Sequence, residues 1–244
     1  MIYEIADLRI DIQNRCEYTT RFCAEYLSDD QTTPAHFSVR VTNEEFLEEK
    51  AIVEKSGLKY SDGYIENICL YRQICLRAPN FGRMLLHACV LSYDGKGYAF
   101  LGKSGTGKST HSRLWLKYLQ GAYIVNGDKP LLAFENGTVY AYGTPWMGKE
   151  GLGCKDKVAL SALCFLRQAK VNKLTSMAVK DAVQVLFGQL LVPKTAEAAL
   201  KTLEFADEII KHVPAYLMEC DISQEAARVS YEGMTGKVFP WEEE

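Results

Sequence analysis

The sequence predicts an α/β fold: a P-loop core built with antiparallel hairpins, preceded by an α+β N-terminal segment. Three observations carry that expectation. Residues 102–110 read GKSGTGKST, which fills the pattern GxxxxGK[ST] with Gly102, Gly107, Lys108 and Ser109 between a strand-like run and a helix-like run. Two hairpin signals flank that stretch, one at Gly95 to Gly97 and one at Asn136-Gly137. Residues 1–80 mix the two-residue period of strands with the longer period of helices. The expected division is 1–80, an N-terminal segment packed on the core, and 81–244, the core itself.

In the first segment Leu8, Ile10 and Ile12 alternate with Arg9, Asp11 and Gln13, as in a half-buried strand, and Phe37, Val39 and Val41 repeat the pattern. Residues 16–27 carry a faint helical pattern, and SDDQTTP after them reads as loop. Thr42 followed by Glu45 is a capping box that opens a helix ending near Gly57. The next helix presents Tyr64, Ile68, Tyr71 and Cys75 as its apolar face, and Pro79 stops it. Nothing here reads as catalytic, and no linker sets the segment apart.

From Met84 the pattern becomes that of hairpins. MLLHACVLSYD, a glycine-containing turn and YAFLG form two antiparallel strands, the second leading into the glycine-rich stretch. In the common doubly wound nucleotide-binding folds such a loop follows a strand reached through helical crossovers, so a hairpin directly upstream points to a different scaffold. The second hairpin pairs Leu131 to Glu135 with Thr138 to Tyr142 across Asn136-Gly137. Asn136-Gly137-Thr138 also matches a glycosylation sequon, but without a secretory signal the turn is the preferred reading.

After residue 157, VALSALCFL is a buried strand or helix segment, and Val179, Val183, Leu186 and Leu190 mark a helix face ahead of Pro193. Thr195 caps a helix running to about His212, and Tyr216, Met218 and Cys220 suggest a last strand. Asp221 resembles a strand-end carboxylate of the Walker B kind, but reads better as a cap for a helix over 223–231. The terminal WEEE is expected to be mobile.

The glycine-rich stretch carries the chemistry. Its glycines permit positive φ and close backbone approach, so the amides of Gly105, Thr106, Gly107 and Lys108 can converge on phosphate oxygens, with Gly102, Ser104 and Thr110 completing the nucleotide-binding set. Lys108 would reach the β and γ phosphates, and the Ser109 hydroxyl would ligate Mg²⁺. The helix opening there adds its positive end.

Composition sets the wider limits. The chain has 244 residues, 48% hydrophobic and 24% charged, the make-up of a globular domain large enough for one good core. A net charge of -3 without a dense basic run offers nothing to nucleic acid or to an anionic membrane. The start lacks the basic and apolar regions of a signal peptide, and no apolar run is long enough to span a bilayer, so a cytoplasmic location is expected. Eight scattered cysteines without a CxxC pair read as reduced core thiols, and none of the four histidines has metal spacing to another.

Together, HACVLSYDGKGYAFLGKSGTGKST, YIVNGDKPLL and GTPWMGKEGLG resemble the P-loop domain of HPr kinase/phosphorylase and its relatives, and more distantly ATP-dependent phosphoenolpyruvate carboxykinase. The likeness covers roughly residues 84–165, loosens to about 220, and leaves out 1–80. It implies a phosphoenolpyruvate carboxykinase-like core, ATP with Mg²⁺, and transfer of phosphate to a hydroxyl, in HPr kinase a protein serine.

Carried over residue by residue, the resemblance places His87 at the mouth of the nucleotide site; the residue alone fits a hydrogen-bonded core histidine as well. It gives Asp128 the role of proton acceptor for the attacking hydroxyl, where the residues alone also allow a turn before Pro130. The family's preceding aspartate is Gly127 here, and its metal-binding glutamate, three positions before the GLG tripeptide, is Gly148. Glu150 is the nearest carboxylate to that position and, with Ser109 and Asp128, forms the candidate metal set; a solvated loop charge is its other reading. Lys149, Lys155 and Lys157 could meet phosphate or an acidic substrate but read better as wet surface, Arg113 reads as a surface cation, and Trp115 and Tyr118 as core.

The expected catalytic set is therefore Asp128, His87 and Lys108, in an ATP-dependent kinase acting on a hydroxyl of a protein, a peptide or a small molecule. A regulatory protein that binds nucleotide without turnover is the alternative that the glycines at 127 and 148 suggest. A carboxykinase is disfavoured by the short chain, and an oligomer is compatible with everything above.

Overall fold

The computed structural model describes residues 1–192 and 195–240, so the expected helix stop at Pro193 and the WEEE end lie outside the described residues. The chain has mixed α/β structure and divides into Met1–Phe81 and Gly82–Glu244. Among the described residues no helix is long and apolar enough to cross a membrane.

In the first unit β1 (Ile2–Ile5) and β2 (Leu8–Ile12) pair antiparallel, and β2 pairs in parallel with β3 (Phe37–Val39). The alternation read at Leu8, Ile10 and Ile12 buries all three. Helix α1 (Glu17–Phe22) takes part of the faint helical stretch. Helix α2 (Asn43–Lys55) opens on the expected box: Thr42 Oγ1 accepts from the Glu45 N–H at 3.2 Å, and Glu45 Oε2 accepts from the Thr42 N–H at 2.8 Å. Helix α3 (Asp62–Arg77) differs from expectation in its face. Ile65, Cys69, Leu70 and Ile74 are buried, while Tyr64, Ile68 and Tyr71 are only half-buried. The helix packs against both α1 and α2, so its buried arc is wider than one stripe.

The second unit is built on one branched sheet of nine strands among the described residues. Strands β4 (Arg83–Leu85), β5 (Ala88–Tyr93), β6 (Lys96–Leu101), β7 (Tyr123–Asn126), β8 (Leu131–Glu135), β9 (Thr138–Tyr142) and β10 (Lys157–Gln168) run in the order β4-β8-β9-β10-β6-β5-β7. Strand β12 (Ala215–Cys220) pairs in parallel with β10 and antiparallel with β11 (Lys173–Ser176). The segment left open between strand and helix is thus the central strand β10, parallel to β6 on one side and β12 on the other. Side chains alternate across the sheet: Ala99 and Leu101 join a core with α5 (Val179–Phe187) and α6 (Ala196–His212), while Phe100 joins Trp115 of α4 (Lys108–Tyr118) and Tyr231 of α7 (Gln224–Thr235).

The Asn136-Gly137 hairpin closes as read, whereas the first turn is Asp94-Gly95, with Lys96 and Gly97 already in β6. Asp94-Gly95 and Asn136-Gly137 each carry two successive positive φ angles, the signature of a two-residue type I′ turn. The long strand expected from Met84, however, breaks at Leu86-His87: the Leu86 N–H donates to the Pro130 carbonyl and the His87 N–H to the Gln189 carbonyl, so β4 joins β8 while β5 joins β6 and β7.

Three further readings are corrected. In α5, Val179 is exposed, and Leu190 lies past the helix end, bridged to Leu86. Thr195 occupies the cap position of α6 but its side chain makes no capping bond. Asp221 is not the cap of α7, which is Ser223; its Oδ1 accepts from the Ser223 N–H at 2.9 Å, closing a turn just before the helix.

Candidate functional site

The glycine-rich loop leaves the end of β6 and folds back on itself. Gly102 has φ 149, and a Cβ there would lie 2.5 Å from Thr106 Oγ1, whose hydroxyl donates to the Lys103 carbonyl at 2.7 Å. Gly107, in the left-handed region, is the residue before α4 and brings no side chain to the first turn's N–H groups. Those donors are left to whatever enters the cavity in front of them.

That cavity measures about 580 Å³ and is bordered by Ser104, Gly105, Gly107, Lys108, Ser109 and Thr110 on one side and by His87, Asp128, Lys129 and residues 147–150 on the other. The structure thus brings His87, Lys108, Ser109, Asp128 and Glu150 to one cavity. Gly102 and Thr106 are not on its wall; they shape the loop from behind.

Lys108 is buried to 8% exposure, and its ammonium donates to the Gly102 carbonyl at 2.9 Å. Burial lowers its pKa, partly offset by the Asp128 carboxylate. Asp128 Oδ1 lies 3.1 Å from His87 Nε2 and Oδ2 lies 3.6 Å from Lys129 Nζ. Burial alone would raise the Asp128 pKa, but the His87 hydrogen bond and the Lys129 and Lys108 charges outweigh it and hold the carboxyl below its usual value. Asp128 is therefore ionised at neutral pH, able to accept a proton and not to give one.

What aims Asp128 is a residue the sequence reading passed over. Asn126 at the end of β7 is fully buried; its Oδ1 accepts from the N–H groups of Asp128 at 2.9 Å and Lys129 at 2.6 Å, and its Nδ2 donates to the Thr144 carbonyl at 3.2 Å. The signal was present as an Asn two residues before the Asp, an Asx-turn spacing. Lys129 was missed as well, as the plain neighbour of the candidate base.

The resemblance implies that the strand leading to Asp128 lies beside the glycine-loop strand. Instead β7 pairs with β5, and β5 lies between β7 and β6. Because β5 and β7 are antiparallel, the start of one and the end of the other coincide, which is how His87 meets Asp128.

Residues 145–154 cross in front of the β7 end. The Gly127 N–H donates to the Leu152 carbonyl at 2.9 Å, and a Cβ on Gly127 would meet the carbonyl oxygens of Met147 at 2.9 Å and Leu152 at 3.0 Å. Gly148, at φ 80, lies so close that its Cβ would be 2.8 Å from Asp128 Cβ. The two positions without carboxylates are thus closely packed, Gly127 against backbone carbonyls and Gly148 against the Asp128 side chain. Glu150 reaches away from Asp128's partners to Arg113 of α4, Oε2 to Nη2 at 3.0 Å, so Arg113 is not an isolated surface cation. Of the three loop lysines only Lys149 borders the cavity; Lys157 pairs with Glu135 at 3.5 Å.

Among the described residues no group of three or more His, Cys, Asp or Glu side chains is placed to hold a metal ion. The Ser109 hydroxyl fits an Mg²⁺ that arrives on a phosphate chain, since that ion commonly takes one or two protein oxygens and completes its shell with phosphate and water. The structure joins none of the eight cysteines in a disulfide, and six of them are buried.

No family model and no curated protein matches the chain. Among the solved structures that are similar, one described as the Hpr(Ser) kinase/phosphatase from Coxiella burnetii matches over 62% of this chain and 93% of that chain, at 14% identity and a TM-score of 0.34. A likeness of that degree leaves the chemistry to be read from this chain's own residues.

Proposed function

We propose that the chain is an ATP-dependent kinase that transfers the γ-phosphate to a hydroxyl. The observation that carries this reading is the meeting of two unlike groups on one cavity: a glycine-rich loop with uncapped helix N–H groups and Lys108, suited to phosphate, and an ionised Asp128 held by His87, suited to a proton. In the resembled family the hydroxyl is that of a protein serine, and a serine of a protein or peptide is the acceptor proposed here, with a small alcohol or amino acid as the variant. Mg²⁺ held through the Ser109 hydroxyl would neutralise charge on the phosphates, leaving Asp128 free for the proton.

The chain's own residues then have defined parts. The loop amides and Lys108 hold the phosphates in line. The acceptor oxygen forms a bond to the γ-phosphorus as the bond from that phosphorus to the β,γ-bridging oxygen breaks, and ADP leaves. The acceptor's proton passes to Asp128 Oδ2, since Oδ1 is engaged by His87. Asn126 fixes the carboxylate's backbone, and His87 orients its plane.

The packing at Gly127 and Gly148 supports a second reading, a nucleotide-binding regulatory protein without turnover, because it fills the space of two carboxylates that the resembled family uses. The deciding experiment is ADP production from Mg-ATP with serine-containing peptides, free serine and small alcohols as acceptors. Acceptor-dependent ADP release supports the kinase; tight ATP binding with no release under any acceptor supports the regulator.

A further inference from the structure

A second cavity, about 400 Å³, lies against the same loop but is bordered by the ends of β10 and β12 instead of β7. Both cavities touch Gly105, Gly107 and Thr110, so a ligand held by the loop amides can extend from one into the other. Their charges differ. The first carries Lys108, Lys129, Lys149 and Arg113 against Asp128 and Glu150, whereas among the described residues the second has Asp221 and His111 as its only titratable side chains other than a cysteine.

His111 is neutral, its pKa lowered to about 4 by burial. Its tautomer follows from its partner. Ser230 Oγ donates its hydrogen to the Ala227 carbonyl at 3.0 Å and accepts from Trp115 Nε1 at 2.9 Å, so the 2.9 Å contact with His111 Nε2 requires the hydrogen on Nε2. Nδ1 therefore carries a lone pair, and it is buried without a hydrogen-bond partner among the described residues. Asp221 is fixed as well: Oδ1 accepts from the Ser223 N–H at 2.9 Å, the Ser223 hydroxyl at 2.6 Å and Asn172 Nδ2 at 3.0 Å, while Oδ2 takes no hydrogen bond among the described residues. Those bonds, the Ser223 hydroxyl first, lower its pKa and keep it ionised. Ile222 beside it is 76% exposed, an apolar side chain with nothing packed over it.

We propose that this second cavity takes the nucleoside end of the nucleotide, the ribose hydroxyls donating to the Asp221 carboxylate and one face of the base lying on Ile222. The cavity's charge excludes the phosphates and favours an uncharged group rich in donors, which a ribose bearing an amino-substituted base is. Thr110, shared by both cavities, marks where phosphate gives way to sugar. Gln168 Nε2, donating to the Gly105 carbonyl at 3.1 Å, ties the loop to the β10 end and holds the two cavities in register.

The proposal rests on the phosphate-cradle reading, and its test separates the two. The full chain is titrated calorimetrically with Mg-ATP, Mg-tripolyphosphate and Mg-2′,3′-dideoxy-ATP, as wild type, Asp221→Ala and Ile222→Ser. The wild type is expected to bind ATP at least about tenfold more tightly than tripolyphosphate, each variant to lose about tenfold for ATP, and tripolyphosphate affinity to stay unchanged. Asp221→Ala should leave dideoxy-ATP binding as it was. If tripolyphosphate binds as well as ATP, or if Ile222→Ser and Asp221→Ala both leave ATP affinity intact, the nucleoside assignment is overturned and the cradle stands. If the wild type binds neither ligand, the cradle falls and this proposal with it. Should Asp221→Ala lose tripolyphosphate too, it is reporting on the β12–α7 turn, and Ile222→Ser, at an exposed position, decides.

Discussion

His87 Nε2 stands 3.1 Å from Asp128 Oδ1 and 3.4 Å from Lys108 Nζ, and one ring nitrogen can satisfy only one of them. A carboxylate needs a donor, whereas the ammonium needs an acceptor and already has one in the Gly102 carbonyl, so the hydrogen belongs on Nε2 facing Asp128. The Lys108 ammonium is left to the Gly102 carbonyl. A γ-phosphate would offer that ammonium a charged partner in place of a neutral one.

Removing the cation tests the cradle. Lys108→Ala should weaken Mg-ATP binding by about ten- to a hundredfold, the loss expected for a charge-assisted contact, while the circular dichroism spectrum stays that of the wild type. Equal affinities by calorimetry would contradict the reading.

Asp128→Asn should keep ATP binding and slow phosphoryl transfer by about 10²- to 10⁴-fold, the usual cost of a lost general base. Asn is nearly isosteric and preserves the backbone bonds from Asn126. The measurement is turnover at saturating ATP with an acceptor that the wild type uses; near-equal rates would remove Asp128 from the base role.

The same variant reports on pH. Because the folded-state pKa of Asp128 is depressed, the ionised carboxylate contributes stability above the unfolded-state value, about 3.9, and that contribution is lost as pH falls through the folded value. The gap in Tm between wild type and Asp128→Asn should be widest near neutrality and close below about pH 4. A gap of the same size at pH 7 and pH 3 would mean that the His87 and lysine contacts do not stabilise the charged form.

Putting a carboxylate back at 127 should not create a metal site. Gly127→Asp drives a Cβ into the Met147 and Leu152 carbonyl oxygens and is expected to cost about 1–3 kcal/mol by overpacking, read as a lowered denaturation midpoint without tighter Mg²⁺ binding. An unchanged midpoint with a new Mg²⁺ affinity would show that residues 147–152 yield.

Thiol titration of the native protein should label Cys16 and Cys154 ahead of the six buried cysteines, and unfolding should release all eight, with no stoichiometric zinc on elemental analysis. Two or more disulfides in the purified chain would contradict it.

The features legible in the sequence are those whose physics is local. Positive φ at Asn136-Gly137, the Thr42–Glu45 box and the left-handed glycines before α4 each depend on a few consecutive residues, so residue type and spacing determine them without reference to the rest of the chain. The cavity's loop side was legible for the same reason. Tertiary structure alone decided its other side. That β7 pairs with β5 and not with β6, that the strand from Met84 breaks at His87, and that Glu150 turns to Arg113 are matters of pairing and register between segments far apart in the chain. No local preference selects among such partners, because an apolar strand satisfies its hydrogen bonds against any neighbour of matching register. Gly127 and Gly148 show the point most sharply: in the sequence they are absent carboxylates, and only the fold reveals backbone carbonyls at the one and the Asp128 side chain at the other where a Cβ would have to be.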